Sequence, residues 1–347
     1  MATESFQSYL VTGGSGLLGQ HIVKLLRSRY PYAPVAVFDL VPSDQDEGVR
    51  SFVGDITDRN ALEKAVKECK ATCIFHTVAL LQGPLRDIQM NVNYGGTVNV
   101  LSVARVQSVP KLVFTSSASV VSDGKAQVGI DESLPYPPKP FDVYNETKAL
   151  AEQDVLHANG HGGLSTVSLR VAGLFGPGDK LTVPGFMSML VAKKTHIQFG
   201  DNTNLFDWTY IENAAHAHLL AAERLNPDHP KFSEVAGQAF FITNGEPIPY
   251  WDFGRELWKA VGHVPSKITV IPRSVGILIA TIMELVSWFT GRPAVLTRFR
   301  IMIFCTTRWC SIEKARKALD YEPPVPLHEG IRKAAECWQT HQAPPNN

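Results

Sequence analysis

A chain of 347 residues can bury a sizeable core, which excludes a single short domain and fits one large α/β unit or a main domain with a smaller second one. Lysine plus arginine and aspartate plus glutamate both total 33, so there is no basic field for counter-ion release along a phosphate backbone, and the expected partner is small or apolar, not nucleic acid. Five cysteines, without CxxC spacing or paired histidines nearby, read as reduced thiols and exclude a disulfide framework or a zinc site.

The first strand, SYLVT, starts at Ser8, too early for a charged region and an apolar signal core ahead of it, so a cytosolic, non-secreted chain is expected. Directly after it, TGGSGLLG places Gly13, Gly14, Ser15, Gly16, Leu17, Leu18 and Gly19 between a strand and an amphipathic helix. Glycines there let the backbone turn tightly and approach a pyrophosphate, whose charge sits at the helix N-terminus. The second strand, VAVFD, closes on Asp39, 20 residues after Gly19. An acid at that place can accept from an adenosine ribose and would repel a 2′-phosphate, so NAD is expected over NADP. FVGDITD then ends a third strand with Asp55, placed for an adenine amino group, and Ile56, placed to cover the ring.

DITDRNALEKAVKECK reads as a crossover helix capped by Thr57 or Asp58, with Leu62, Ala65, Val66 and Cys69 on its core face. The strands CIFHTV, KLVFTSS and TVSLRV follow, separated by helix-length segments, and His76 reads as a packed strand residue. Continuous apolar runs suit strands covered on both faces, so the expected fold is α/β, a doubly wound parallel sheet. Residues 1–172 would form the dinucleotide-binding domain, with later strands at about 205–245 completing the sheet. Residues 173–340 would form a smaller, mostly helical substrate lobe, and 341–347 a disordered tail.

Between these strands lies VYNETKALAE, in which Tyr144 and Lys148 stand four residues apart and share a helix face. A cation beside a phenol favours the phenolate, so the pair reads as a proton-transfer device, although a surface pair has the same spacing. Of the nine tyrosines only Tyr144 has lysine at that position.

In the second half, Asp207, Trp208 and Tyr210 read equally as pocket or core, and His216 and His218 do not share a helix face, so no metal is assigned. The most apolar long segment, 274–291, contains Glu284 and is flanked by Arg273, Arg292, Arg298 and Arg300. It reads either as a buried helix or as an interfacial helix lying on a membrane, with a true span as the remaining alternative.

Taken in order, TGGSGLLG, Asp39, GDITD, VNYGGTVNVL, VFTSSASVV, YNETK and LRVAGLFGPGD resemble an extended short-chain dehydrogenase/reductase with a Rossmann-type fold over nearly the whole chain. YNETKALAE, FGPGD, GDNTNLFDWTYIENAAHAHLLAAERL and FFITNGEPIPYWDF are similar to the 3β-hydroxysteroid dehydrogenase branch, and especially to its decarboxylating sterol-4α-carboxylate 3-dehydrogenases. The resemblance implies that Tyr144 is the acid/base, that Lys148 binds the nicotinamide ribose and lowers the phenol's pKa, and that Ser117, or less readily Ser119, holds the substrate oxygen. It assigns Asn93 to supporting the site through backbone hydrogen bonds.

The sequence departs from the family at Thr77-Val78-Ala79 and at Val171, both near the nicotinamide end. The activity implied by the resemblance is an NAD-dependent oxidation of the 3β-hydroxyl of a sterol, steroid or triterpenoid, with loss of CO2 from a 4α-carboxysterol. A plain 3β-hydroxysteroid dehydrogenase, a nucleotide-sugar epimerase or dehydratase and a silent NAD-binding scaffold are the alternatives. The resemblance admits a homodimer and a place in the cytoplasm or on the cytosolic face of the endoplasmic reticulum membrane.

Overall fold

A computed structural model of the chain describes residues 7–43, 48–81, 85–292 and 294–342; the distal tail from 343 onward lies outside them. Seven parallel strands form the main sheet: β1 (Tyr9–Thr12), β2 (Val35–Asp39), β3 (Val49–Val53), β4 (Cys73–His76), β5 (Lys111–Ser117), β6 (Ser165–Val171) and β7 (Gln238–Ile242). Their order is β7-β6-β5-β4-β1-β2-β3, so the winding reverses between β1 and β4 and opens a crevice at the C-terminal ends of those two strands.

Both faces of the sheet are covered, which is why its inner strands carry continuous apolar runs. Tyr9, Val11, Val35, Val37 and Phe75 point to one face, where α1 (Leu17–Arg29) supplies Leu18, Ile22 and Leu26. Leu10, Ala36, Phe38 and Ile74 point to the other, against α2 (Arg59–Cys69) and α3 (Gly96–Val106). Asp58 caps α2 by accepting from Asn60 N and Ala61 N, at 2.9 and 3.1 Å.

Helix α4 (Val143–His157) lies on the second face with a polar underside: Asn145, Thr147, Lys148 and Glu152 are all buried. Glu152, fully buried, accepts from Arg170 Nε on β6 at 2.9 Å, from Ser168 Oγ at 2.6 Å and from the Tyr136 phenol at 2.7 Å. Buried charge is tolerated because every bond that it needs is supplied.

The expected strands at 205–245 divide in the structure. Only β7 joins the main sheet, while Leu205–Phe206 belongs to a second, four-stranded sheet and Thr209–Tyr210 pairs separately with Leu174–Phe175. The four-stranded sheet runs in the order Ile248–Pro249, Leu205–Phe206, Arg308–Cys310, Gln127–Ile130, joining segments from distant parts of the chain. The remaining helices include α5 (Thr182–Val191), α6 (Ile211–Arg224), α7 (Tyr250–Ala260), α8 (Arg273–Thr290), α9 (Arg298–Cys305), α10 (Glu313–Leu319) and α11 (Leu327–Gln342).

The apolar helix α8 is not a core helix. Only Gly276 and Ala280 are buried, where the backbone comes so close to its neighbours that a Cβ on Gly276 would lie 2.9 Å from Phe199. Val275, Leu278, Ile282, Leu285 and Phe289 recur at helical spacing on an exposed face. The acid inside the apolar run, Glu284, accepts from Arg298 Nε at 2.6 Å and from Arg298 N at 2.8 Å, fastening α8 to α9. Among the described residues α8 is the one helix long and apolar enough to cross a membrane by length and composition.

The Glu152–Arg170 pair makes a direct prediction. Arg170→Met strands a carboxylate at the centre of the fold and should cost about 3–5 kcal/mol in urea unfolding. A loss under about 1 kcal/mol would show that the other donors to Glu152 are sufficient without the guanidinium.

Candidate active site

The glycine loop fills the reversal crevice. Gly13 adopts φ +75°, and a Cβ there would lie 2.8 Å from the Thr77 hydroxyl oxygen. A Cβ on Gly19 would sit 2.2 Å from the Gly13 carbonyl oxygen, so this residue sets how closely α1 packs on the loop. No side chain caps Gly16, so the first-turn N–H groups at Leu17 and Leu18 lack a side-chain acceptor and the positive helix end is open to an anion. Asp39, at the end of β2, accepts from Ser15 N through Oδ2 at 3.0 Å, which holds a carboxylate at the rim of the loop.

Gly13, Gly14, Ser15, Gly16, Leu17, Leu18, Gly19 and Asp39 therefore come together in one cradle, with the tight backbone, open helix end and rim carboxylate that a dinucleotide requires. Asp55 is exposed at the end of the neighbouring β3, where its Oδ1 accepts from Thr57 N at 2.9 Å. Ile56 is a core side chain, 4% exposed and packed against Gly96. It offers almost no surface to a nucleobase, which would meet the Asp55 carboxylate and the backbone instead.

The second group of residues gathers at the ends of β4, β5 and β6. Ser117 ends β5 in register with Val171 on β6; its hydroxyl hydrogen-bonds the Ser119 hydroxyl at 2.7 Å and lies near enough to the Tyr144 phenol to influence its ionisation. Ser117, Ser119 and Val171 line one cavity together with Phe206, Asp207 and Arg308. Asn93 is buried in a wide turn of helix, Met90–Gly95. Its amide brackets the Leu80 backbone, accepting from N at 2.7 Å and donating to O at 3.0 Å, and donates to Thr147 Oγ1 on α4 at 3.1 Å. It thereby ties the chain leaving β4 to the helix that carries Tyr144.

Lys148 is 1% exposed; its ammonium donates to the Thr115 carbonyl at 2.5 Å and lies 4.2 Å from the centre of the Phe114 ring. Burial pulls its pKa down to about 7, against the pull of Glu152. Burial pushes the Tyr144 phenol up to about 12, with the Ser117 hydrogen bond working the other way.

Lys148 is not among the groups that shift the phenol in the cofactor-free protein. The two residues share a helix face, but the ammonium is committed to Thr115 on β5, and burial dominates at the phenol.

His76 is a packed residue: its ring bridges Thr12 Oγ1 at 2.7 Å and Thr97 Oγ1 at 3.0 Å, and burial drives its pKa down to about 3. His218 is likewise fully buried, between Thr115 Oγ1 at 2.8 Å and Ala214 O at 2.7 Å. Trp208 and Tyr210 are core aromatics, and of that trio only Asp207 reaches the cavity.

Two further residues belong to the site without a sequence signal of their role. Thr77 stands out in the sequence only as a departure from the family, yet its hydroxyl donates to Thr12 O at 2.9 Å and steadies the glycine loop. Arg308 carries no motif at all; its place follows from strand pairing with Phe206.

Residues 10–273 match the 3-beta hydroxysteroid dehydrogenase/isomerase family. The chain is 43% identical to the decarboxylating sterol-4-alpha-carboxylate 3-dehydrogenase of Schizosaccharomyces pombe, over 95% of this chain and 97% of that one. It is 34% identical to the human protein described in the same words, over 95% and 87% of the two chains. The fold is similar to the crystal structure of a dTDP-glucose 4,6-dehydratase from Bacillus anthracis in complex with NAD, with a TM-score of 0.74, 18% identity and 97% of each chain covered.

The rim carboxylate can be tested by itself. Asp39→Ala should weaken NAD and improve NADP relative to it, lowering the ratio of their dissociation constants by roughly tenfold or more, as removal of one like-charge repulsion implies. Fluorescence titration with the two reduced cofactors measures this, and an unchanged ratio would place the discriminating charge elsewhere.

Proposed function

The chain belongs to the 3-beta hydroxysteroid dehydrogenase/isomerase family, and from this we propose that it oxidises the 3β-hydroxyl of a 4α-carboxysterol, using NAD and releasing CO2. One observation carries the reading: in a chain this similar to decarboxylating sterol dehydrogenases, Ser117 lines a cavity at the end of β5 and interacts with the Tyr144 phenol.

NAD, when bound, accepts hydride from C3 and brings a positively charged ring. The chain's own residues do the rest. Ser117 and Tyr144 hydrogen-bond the substrate hydroxyl, and Tyr144 takes its proton as hydride leaves. Burial is the main influence holding that phenol near 12, so its ionisation at working pH relies on the charge that the cofactor adds, with Lys148 holding its place at the base of the site.

Oxidation of C3 turns a 4α-carboxysterol into a β-keto acid. The bond from C4 to the carboxylate then breaks, its electron pair moves into the new carbonyl, and CO2 leaves. Ser117 and Tyr144 hydrogen-bond the oxygen of the resulting enolate.

Purified protein given NAD and a 3β-hydroxy-4α-carboxysterol should form NADH and CO2 in equal amounts. Tyr144→Phe should lower kcat by roughly 10²- to 10⁴-fold while holding NAD within a few-fold, since the phenol moves a proton and does not grip the dinucleotide. NADH from an uncarboxylated 3β-hydroxysteroid, with none from the carboxysterol, would make this a plain dehydrogenase.

We further infer that α8 lies on a membrane surface, from which an apolar substrate is taken. Its exposed apolar face is flanked by the exposed Arg273, Arg292 and Arg300, as suits anionic headgroups. It also leads toward the site: α9, fastened to α8 by the Glu284–Arg298 pair, stacks Phe299 on Phe141, just ahead of α4. The protein should float with vesicles containing anionic lipid. A variant with Leu278, Ile282, Leu285 and Phe289 changed to serine should stay behind yet bind NADH normally. Wild-type protein that fails to float would leave the apolar face to another partner.

A further inference from the structure

Arg308 lines the same cavity as Ser117 and has no part in hydride or proton transfer. Its backbone is locked on both sides. Arg308 O accepts from Asp207 N at 3.1 Å, and Thr307 O accepts from Gln127 N at 2.8 Å. Arg308, Trp309 and Cys310 all border the cavity, the pairing of this strand with Gln127–Ile130 being irregular between Arg308 and Cys310, and Trp309 packs over Gly129. From there it also borders the smaller space walled by Phe141 and Met302.

The guanidinium is part-buried, and burial pulls its pKa down. Among the described residues no hydrogen bond or ion pair within 4 Å is assigned to it, in contrast to Arg170 and Arg224, whose carboxylates lie at 2.8 Å. Its largest negative influence is Asp142, which forms no ion pair with it within 4 Å and whose side chain accepts from Asn145 N at 2.8 Å to cap α4. Asp207, the other charged group in the cavity wall, is turned onto Cys310 N at 2.7 Å. A guanidinium in a cavity wall with no ion pair of its own is a site for an anionic ligand.

The proposed substrate brings one. Its carboxylate is on C4, the carbon next to C3, so a substrate whose C3 oxygen meets Ser117 brings the carboxylate to the cavity that Ser117 and Arg308 both line. Resting on that reading of the substrate, we propose that Arg308 binds the C4 carboxylate and sets the preference for carboxylated over uncharged sterols.

A guanidinium on the carboxylate stabilises the bound acid, and this favours binding and oxidation without assisting the loss of neutral CO2. The effect therefore falls on discrimination between substrates, read through KM, more than on kcat.

The test compares kcat/KM for the 4α-carboxysterol with that for its uncharged methyl ester. The wild type should prefer the carboxylate. Arg308→Gln should reduce that preference by roughly 10- to 100-fold, the range of a charge-assisted bond, chiefly through KM, and Arg308→Lys should restore part of it. An equal fall for both substrates, or an unchanged ratio, overturns the assignment.

Should Arg308→Gln fail to fold, the wild type still decides: equal turnover of acid and ester rules out a cationic contact. A wild type that oxidises sterol esters but never the carboxysterol removes the premise as well. An unaltered ratio in the variant, beside a carboxylate-selective wild type, removes Arg308 alone.

Discussion

The site depends on a helix that buries its polar side. Thr147, Lys148 and Glu152 on α4 all face the sheet and are nearly or fully inaccessible to water. A buried charge or hydroxyl without a partner costs more than any packing contact returns, so α4 is stable only in the rotation that satisfies all of them together. Lys148 finds Thr115, Thr147 finds Asn93, and Glu152 finds Arg170 and Ser168. Tyr144, one turn before Lys148, is then carried on the same helix face toward Ser117. An apolar underside would have held the helix as firmly but less specifically in register, because apolar contacts are not directional.

The same economy appears at the other half of the site. The glycine loop is shaped by what surrounds it as much as by its own flexibility: Thr77 below, Val37 beside Gly14, and the loop's own carbonyl beneath Gly19. Asn93 connects the two halves, since the Leu80 backbone that it brackets leaves the same strand whose end supports the loop. The cofactor cradle and the proton-transfer group are thus parts of one hydrogen-bonded unit at the C-terminal edge of the sheet.

The substrate side is built differently. Its wall is a small sheet whose strands come from residues near 128, 206, 249 and 309, so its shape is set by pairing between segments far apart in the chain. That arrangement carries Arg308 and Asp207 to the cavity. The adjoining α9 places Met302 and Phe299 beside Phe141, and α8 presents its apolar face outward from there. Chemistry and substrate access are divided between a rigid parallel sheet and a lobe of short strands and helices.

Local signals in the sequence determined the parallel sheet and the dinucleotide cradle and singled out the Tyr144–Lys148 pair, while Ser117 was read from the family resemblance. Each local signal rests on short-range order: an apolar run, a glycine loop entering a helix, an acid at a strand end, or two residues one turn apart. Asp39 and His76 were legible for that reason. Tertiary structure alone decided the rest. It put Ile56 in the core, sent Leu205–Phe206 to a second sheet and exposed the face of α8. It also engaged Lys148 with Thr115 instead of the phenol, so that burial governs the Tyr144 pKa. These outcomes depend on which distant groups come within a few ångströms and on how much water they exclude. Residue spacing along the chain carries no record of either.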